Sequence, residues 1–156
     1  MRGLPFVQVP TTLLAMVDSA VGGKTGVNTR HGKNMVGAFY QPLLVYSAIG
    51  MLDTLTLEQF NSGLGEVVKH ALLGDLAVFE RCEEQAGRIR ARDPEILTEL
   101  VGACVEIKAG VVAQDERESG WRAVLNLGHT VGHAIEASLI GTEAALPHGV
   151  CVAFGL

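Results

Sequence analysis

Two histidines at helical spacing are the first residues in this sequence that could hold a metal ion. His129 and His133 lie four residues apart, so a helix would place both on one face. Glu66 offers a carboxylate, and one glutamate with two or more histidines suits zinc or a similar divalent ion. Three protein ligands would leave a coordination position open for substrate oxygens. Taken alone, the pair fits surface or hydrogen-bonded core histidines better, because it lacks the H-E-x-x-H pattern of metalloproteases.

Glu66 stands in the segment 63–69, where two glycines interrupt a predicted helix. Glycine destabilises a helix interior, so Gly63 and Gly65 indicate the close approach of a ligand or of a second backbone. Glu66 and Lys69 are three residues apart and can share a helix face. The alternative is a solvated Glu–Lys pair, which contributes little to stability.

A lysine also interrupts the apolar face of a later predicted helix. Val101, Cys104 and Val112 share that face with Lys108. Because a buried, unpaired ammonium group is unfavourable, Lys108 must either extend its amine to solvent or meet an anion. The sequence leaves both interpretations open.

A glycine-rich segment near the start of the chain could bind an anion. Residues 22–26 contain three glycines and Lys24, and residues 32–34 add Lys33 and Asn34. Free backbone N–H groups and lysine charges can together cradle a phosphate. The spacing is not that of a P-loop, so a glycine-rich turn without a ligand is the alternative.

The composition limits the classes of function. The chain has 156 residues, of which 48% are hydrophobic and 19% charged, as in a globular domain. Its net charge of −5, from 12 basic and 17 acidic residues, argues against nucleic acid or an anionic membrane as the main partner. The three cysteines are widely spaced, which predicts reduced thiols in a cytoplasmic protein. Every apolar run is too short to span a membrane.

The elements that would position these side chains change character near residue 54. Before it, the sequence predicts a helical turn over residues 11–18, strands over 6–9 and 43–46, and a hairpin that turns at 29–32. After it, a capping box at Thr56 and Gln59 begins a helix. Further helices are predicted from Asp93-Pro94 to about residue 118, over 126–139, and from about His148.

Five stretches in this order resemble the signature of the 3-dehydroquinate synthase family. They are VPTTLLAMVDSAVGGKT at 9–25, GKNMVGAF at 32–39, GEVVK at 65–69, DERE at 115–118 and LNLGHTVGH at 125–133. The resemblance covers essentially the whole chain. It implies conversion of 3-deoxy-D-arabino-heptulosonate 7-phosphate into 3-dehydroquinate, a step of the shikimate pathway towards aromatic amino acids, with catalytic NAD and one zinc or cobalt ion.

The same resemblance assigns roles to individual residues. It implies that the metal ligands are Glu66, His129 and His148, so that His133 contacts the substrate instead. The further catalytic residues that it implies are Lys24, Lys69, Lys108, Glu118 and Asn126, and the substrate-binding residues are Asp18, Lys33, Asn34 and Arg122. Thr11, Thr12 and Asp18 match positions that touch the cofactor. His70 stands where the family commonly has an aromatic residue, which we interpret as a harmless change.

The resemblance also implies a fold and leaves rival functions. We expect an α/β remnant followed by a mainly α-helical domain, truncated at both ends. Residues 1–53 would be the last part of the NAD-binding domain, and residues 54–156 an incomplete metal- and substrate-binding domain. The full-length parent is expected to be a homodimer. The rivals are another sugar-phosphate cyclase such as 2-deoxy-scyllo-inosose synthase, a metal-dependent polyol dehydrogenase, and a non-catalytic truncated product.

Overall fold

Two small sheets form the first part of the chain. The computed structural model describes residues 4–156, apart from the side chains of residues 33 and 34. Strands β1 (Val7–Gln8) and β4 (Leu44–Val45) pair in parallel, and β2 (Lys24–Thr29) and β3 (Gly32–Phe39) form an antiparallel hairpin. A π-helical turn (Ala15–Ser19) follows β1, and a 3-10 helix (Ile49–Thr54) follows β4. The predicted strands and hairpin are confirmed.

Helices make up most of the remaining described chain. They are α1 (Leu57–Gly74), α2 (Leu76–Glu84), α3 (Ala86–Arg90), α4 (Pro94–Gln114), a 3-10 helix (Trp121–Asn126), α5 (His129–Leu139) and α6 (His148–Gly155). The predicted capping box begins α1: the Thr56 hydroxyl accepts from the Gln59 N–H at 3.2 Å, and the Gln59 side chain accepts from the Thr56 N–H at 3.1 Å. None of the described helices is both long and apolar enough to span a bilayer.

The core joins the two parts of the chain. Buried residues of α1 and α4 pack together, namely Phe60, Val67, Ala71, Leu97, Leu100 and Cys104. Leu13, Met16 and Val17 belong to the same cluster and are fully buried. Burial of a side chain of this size contributes roughly 1.5–3 kcal/mol. The turn that carries Asp18 is therefore fixed against the helices that carry Glu66 and Lys108.

Two predicted helix boundaries are wrong. Helix α4 ends at Gln114 instead of about residue 118, because the Asp115 carboxylate accepts from the N–H groups of Ser119, Gly120 and Arg122 at 2.8–3.0 Å. These bonds fold the chain into a tight loop and satisfy donors that a helix would otherwise use. Helix α5 begins at His129 instead of residue 126, because Gly128 takes a left-handed conformation with φ 77°.

Glycines let three helices meet with their backbones in contact. A Cβ at Gly65 of α1 would overlap the carbonyl oxygen of Gly149 in α6. A Cβ at Gly132 of α5 would lie 3.0 Å from the backbone of Cys151 and Val152 in α6. The close approach that Gly65 predicted is thus to a second backbone. It brings Glu66 of α1 to the first residue of α6, which is His148.

Candidate metal and phosphate site

Glu66 is the centre of the candidate metal site. Its side chain is wholly buried, and its Oε1 lies 3.7 Å from His148 Nε2 and 3.9 Å from His129 Nε2. Lys69 pairs with the other carboxylate oxygen, Oε2. Oε1 has no hydrogen-bond partner within the described part of the protein. A buried carboxylate oxygen without a donor is unfavourable, and a bound cation or a hydrogen-bond donor would remove this cost.

The two histidines are oriented through their other ring nitrogens. Nδ1 of His148 lies 3.0 Å from Glu136 Oε2, and Nδ1 of His129 lies 3.2 Å from the carbonyl oxygen of Leu127. Both partners accept hydrogen bonds, so each Nδ1 carries the proton and each Nε2 keeps its lone pair towards Glu66. Metal-binding histidines in proteins are arranged in this way.

His133 belongs to the same cluster. Suitable ring nitrogens of His129, His133 and His148 all lie within 4.8 Å of one another. Two overlapping sets of three donors therefore share His129 and His148, with either Glu66 or His133 as the third. Ligand atoms of a tetrahedral zinc ion lie roughly 3.4 Å apart. Separations of 3.7 and 3.9 Å around Glu66 Oε1 need only a small contraction, so the residues present fit a divalent ion.

A row of buried charges extends from Glu66 to α4. Lys69, which is 1% exposed, lies 3.9 Å from Asp18 as well as against Glu66. The Lys108 ammonium donates to the Asp18 carboxylate at 2.5 Å and to the Asp18 carbonyl at 2.6 Å. Lys108 therefore meets an anion, and the interpretation of Glu66 and Lys69 as a solvated pair is wrong. Signs alternate along the row, so each buried charge has a counter-charge.

Burial and the neighbouring charges shift the pKa values of Asp18 and Lys108. Burial pushes the pKa of Asp18 upward, but the charges of Lys108 and Lys69 and the Lys108 hydrogen bond outweigh it and lower that pKa to about 2. Burial lowers the pKa of Lys108, although Asp18 opposes the shift. Asp18 is thus a carboxylate at neutral pH.

A cleft of about 700 Å³ opens beside Asp18. Lys24, Lys108 and Arg122 line it together. Arg122 is 2% exposed and donates to the carbonyl oxygens of Gly22 at 2.9 Å and Glu116 at 2.6 Å. Asp18 and Glu118 pair with Lys108 and Lys24, so the three cations outnumber these two carboxylates and leave a local positive charge that suits a phosphate or carboxylate.

Glu118 and Asn126 are linked to this cleft through Lys24. The Lys24 ammonium pairs with Glu118, and that hydrogen bond, together with one from Asn126, lowers the pKa of the Glu118 carboxyl. Glu118 has a positive φ of 58°, so the loop that Asp115 folds holds it in a left-handed conformation. The structure thus gathers Lys24, Glu118 and Asn126, which are far apart in sequence.

The glycine-rich segment does not form an open anion cradle. Residues 24–29 and 32–39 are paired strands, so much of their backbone serves the hairpin. Gly22 and Gly23 form the turn before it, with φ of 102° and 67°. The glycine-rich-turn interpretation applies to that turn, and side chains supply the positive charge of the cleft.

Two implied positions, Thr11 and Thr12, take less part in this geometry. The Thr12 hydroxyl accepts from the Ala15 N–H at 3.2 Å and so caps the turn that carries Asp18, and Thr11 is exposed. The side chains of Lys33 and Asn34 lie outside the described residues.

Comparison with known proteins decides the family. Residues 1–62 match the family model described as "3-dehydroquinate synthase N-terminal". Residues 63–156 match the model described as "3-dehydroquinate synthase C-terminal". A 3-dehydroquinate synthase of Pelobacter propionicus is 53% identical over 156 residues, which are 100% of this chain and 43% of the relative. This chain belongs to the 3-dehydroquinate synthase family. It spans about two fifths of the length of the curated relatives that it matches.

Solved structures of sugar-phosphate cyclases share the fold of this family member. A 2-deoxy-scyllo-inosose synthase complexed with carbaglucose-6-phosphate, NAD+ and Co2+ superposes with a TM-score of 0.87 at 32% identity, over 99% of this chain and 41% of that one. A 2-epi-5-epi-valiolone synthase of Streptomyces hygroscopicus with NAD+ and Zn2+ gives 0.84 at 29% identity, over 97% and 42%. The expected fold is therefore confirmed.

The sequence assigned no role in this 3-dehydroquinate synthase family site to Glu136 or Asp115, and we interpreted His70 only as a harmless change. Glu136 follows His129 by seven residues and His133 by three, so helical spacing could have placed it on their face. Asp115 folds the loop that carries Arg122, and only its position at a helix end hinted at that role. His70 is fully buried: its Nδ1 lies 2.8 Å from the Glu66 carbonyl, and burial with the Lys69 charge lowers its pKa to about 4.

Proposed function

We propose that this chain supplies the metal site and much of the substrate site of a 3-dehydroquinate synthase. The reaction would convert 3-deoxy-D-arabino-heptulosonate 7-phosphate into 3-dehydroquinate and phosphate. One observation carries the proposal: the buried Glu66 carboxylate faces two oriented histidines on one side and a row of paired lysines on the other. Curated relatives at 52–53% identity support this substrate over that of other cyclases.

Glu66, His129 and His148 would hold the divalent ion, zinc or cobalt. Glu66 is preferred to His133 as the third ligand because its buried Oε1 needs a positive partner, whereas His133 is exposed. The ion would polarise a substrate hydroxyl, and NAD would accept and return a hydride at the same carbon. His133 would then contact the substrate at the mouth of the site.

The lysines and Arg122 would orient the substrate's anionic groups. Lys24, Lys108 and Arg122 surround one cleft, and the charge of a phosphate or carboxylate there would be balanced by theirs. Lys33 and Asn34 would extend the same substrate surface. Glu118 and Asn126 would hold Lys24 in place and contact substrate hydroxyls. Positioning and charge stabilisation are the contributions that such a site makes to a phosphate elimination.

Thr11, Thr12 and Asp18 would face the NAD. The turn that Thr12 caps carries Asp18, which is fixed by Lys108, so the cofactor side and the substrate side share one rigid segment. We further propose that residues 1–53 belong to the NAD-binding part and residues 54–156 to the helical part. A cytoplasmic homodimer remains the prediction for the complete protein.

A chimaera tests the function at full length. This chain would replace the matching 43% of the Pelobacter propionicus relative, and phosphate release from 3-deoxy-D-arabino-heptulosonate 7-phosphate would be measured with NAD and Zn2+. We expect turnover without net accumulation of NADH. The Glu66→Ala variant should lose this turnover. Glu106→Gln, an exposed change on α4, is the control.

Two other results would change the conclusion. Phosphate release from glucose 6-phosphate, and not from 3-deoxy-D-arabino-heptulosonate 7-phosphate, would favour the alternative cyclase, whose solved structure with carbaglucose-6-phosphate shares the fold of this chain. Net accumulation of NADH would instead favour a polyol dehydrogenase.

A further inference from the structure

Glu136 has a place in the site that its sequence position did not reveal. It lies on α5, and its Oε2 is 3.0 Å from His148 Nδ1. Nε2 of the same imidazole lies 3.7 Å from Glu66 Oε1. The His148 ring therefore bridges two carboxylates, with Glu136 behind it and the candidate metal position in front.

We propose that Glu136 is a positioning residue for the metal site: it orients His148 and strengthens it as a ligand. The inference rests on the proposed metal function. A carboxylate that accepts from Nδ1–H fixes the tautomer that leaves the Nε2 lone pair free, and it makes that lone pair more basic. Its negative charge also adds to that of Glu66 in attracting a divalent ion.

The two histidines differ in this respect. His129 has only the neutral carbonyl oxygen of Leu127 at 3.2 Å behind it, whereas His148 has a carboxylate. Each histidine is the first residue of its helix, but the His148 side chain is 31% exposed and that of His129 only 15%, so packing restrains His148 less. Glu136 thus orients the ligand that most needs a partner.

A purely structural role, fastening α5 to α6, does not require this carboxylate. Glycines already bring the two helices into contact: Gly132 lies against Cys151 and Val152, and a Cβ at Gly155 would overlap the Gly128 carbonyl. Glu136 also lines the cleft formed with His129, His133 and His148, and its side chain is 20% exposed. Its position fits a role at the site better than a role in the core.

The test is a Co2+ titration of the 156-residue chain, followed by the visible absorption of the bound ion. Glu136→Ala is expected to weaken Co2+ binding about 10- to 100-fold and to change the absorption band, as losses of outer-shell partners do. Glu136→Gln keeps an oxygen that can accept from Nδ1–H, so it should keep the band and lose less than about tenfold. Glu106→Gln should match the wild type. Circular dichroism of each variant checks that the helices are retained.

Each other outcome overturns a different statement. Unchanged affinity and band in both Glu136 variants would refute the positioning role and leave the proposed metal function standing. Equal loss in Glu136→Gln and Glu136→Ala, with a changed band in both, would make Glu136 a direct ligand and also refute it. If Glu136→Ala loses helix content, Glu136→Gln decides alone: a measurable loss of Co2+ affinity, smaller than about tenfold, supports the role, and an affinity equal to that of the wild type refutes it. A wild-type chain that folds but binds no Co2+ would overturn the proposed metal function, and this inference with it.

Discussion

At the scale of single residues, the site depends on charges that are buried in pairs. Glu66, Lys69, Asp18 and Lys108 alternate in sign, and all but Asp18 are nearly inaccessible to solvent. Ion pairs of this kind add little net stability compared with apolar residues, but removal of one member leaves a costly charge behind. They are therefore better explained by what they do for a ligand than by what they do for the fold.

Replacement of Lys108 by methionine tests the cost of leaving one buried charge unpaired. Asp18 would lose its closest counter-charge, so we expect the free energy of unfolding to fall by about 2 kcal/mol. Urea denaturation at pH 7 measures it. Arg90→Met, at an exposed position of α3, should change stability by less than about 0.5 kcal/mol. Equal stabilities in the two variants would contradict a structural Lys108–Asp18 pair.

The depressed pKa of Asp18 predicts a specific acid sensitivity. Its pKa falls from 3.8 to about 2 on folding, so the folded state favours the carboxylate. The resulting stabilisation, about 2 kcal/mol, is complete above pH 4 and disappears as the pH falls through about 2. Asp18→Asn should be less stable at pH 6 and should lose less stability between pH 4 and 2. Urea denaturation across this range measures both, with exposed Asp53→Asn as control. Parallel pH profiles for wild type and Asp18→Asn would rule the explanation out.

At the scale of elements, the site depends on how closely α1, α5 and α6 approach. Glu66 comes from α1, His129 from α5 and His148 from α6, so the three donors meet only if the helices do. Small residues at the crossings allow this, because any Cβ would occupy the space of a neighbouring backbone. The same glycines weaken the helices themselves, which is a cost that packing must offset.

Two glycine-to-alanine changes separate these effects. Gly65→Ala would place a Cβ on the Gly149 carbonyl, so we expect about 2 kcal/mol of destabilisation and weaker metal binding as α6 is displaced. Gly102→Ala on α4 has nothing within 4 Å of the added Cβ and should instead stabilise by up to about 1 kcal/mol. Thermal melting and Co2+ titration distinguish them. Equal effects at the two positions would show that the crossing does not limit the packing.

At the scale of the whole molecule, metal binding and folding should be coupled. The three donors are brought together by the tertiary fold, so an ion that binds them binds the folded state and not the unfolded chain. The free energy of unfolding therefore depends on the concentration of the free metal ion.

Melting with and without metal measures this coupling. At a free Zn2+ concentration of 100 times the Kd, the wild-type chain should gain about 2.7 kcal/mol, or about 5–10 °C in Tm. His129→Ala should lose this gain, and His31→Ala, in the exposed hairpin turn, should keep it. A metal-induced shift that survives in His129→Ala would place the ion elsewhere.

The sequence by itself determined most of the local elements and predicted the candidate site residues. The capping box at Thr56, the helix start at Asp93-Pro94 and the hairpin follow from short-range rules, which act within a few residues and are legible in the chain. The resemblance to the family also implied Glu66, His129 and His148 as the metal ligands. The sequence did not show that His70 is buried against Glu66, and it left the glycine-rich segment open between a phosphate cradle and a turn, because both depend on surroundings that no local pattern encodes.

Only the tertiary structure decided how those residues are paired. It showed that Lys108 meets Asp18, 90 positions away, and that Lys69 serves Glu66 and Asp18 together. It placed the Glu136 carboxylate against Nδ1 of His148, and it showed that the Asp115 carboxylate accepts hydrogen bonds from the loop that ends α4. The physical reason is common to all of these: a buried polar group must find its partner wherever packing brings one, and the burial of each residue is a property of the whole fold.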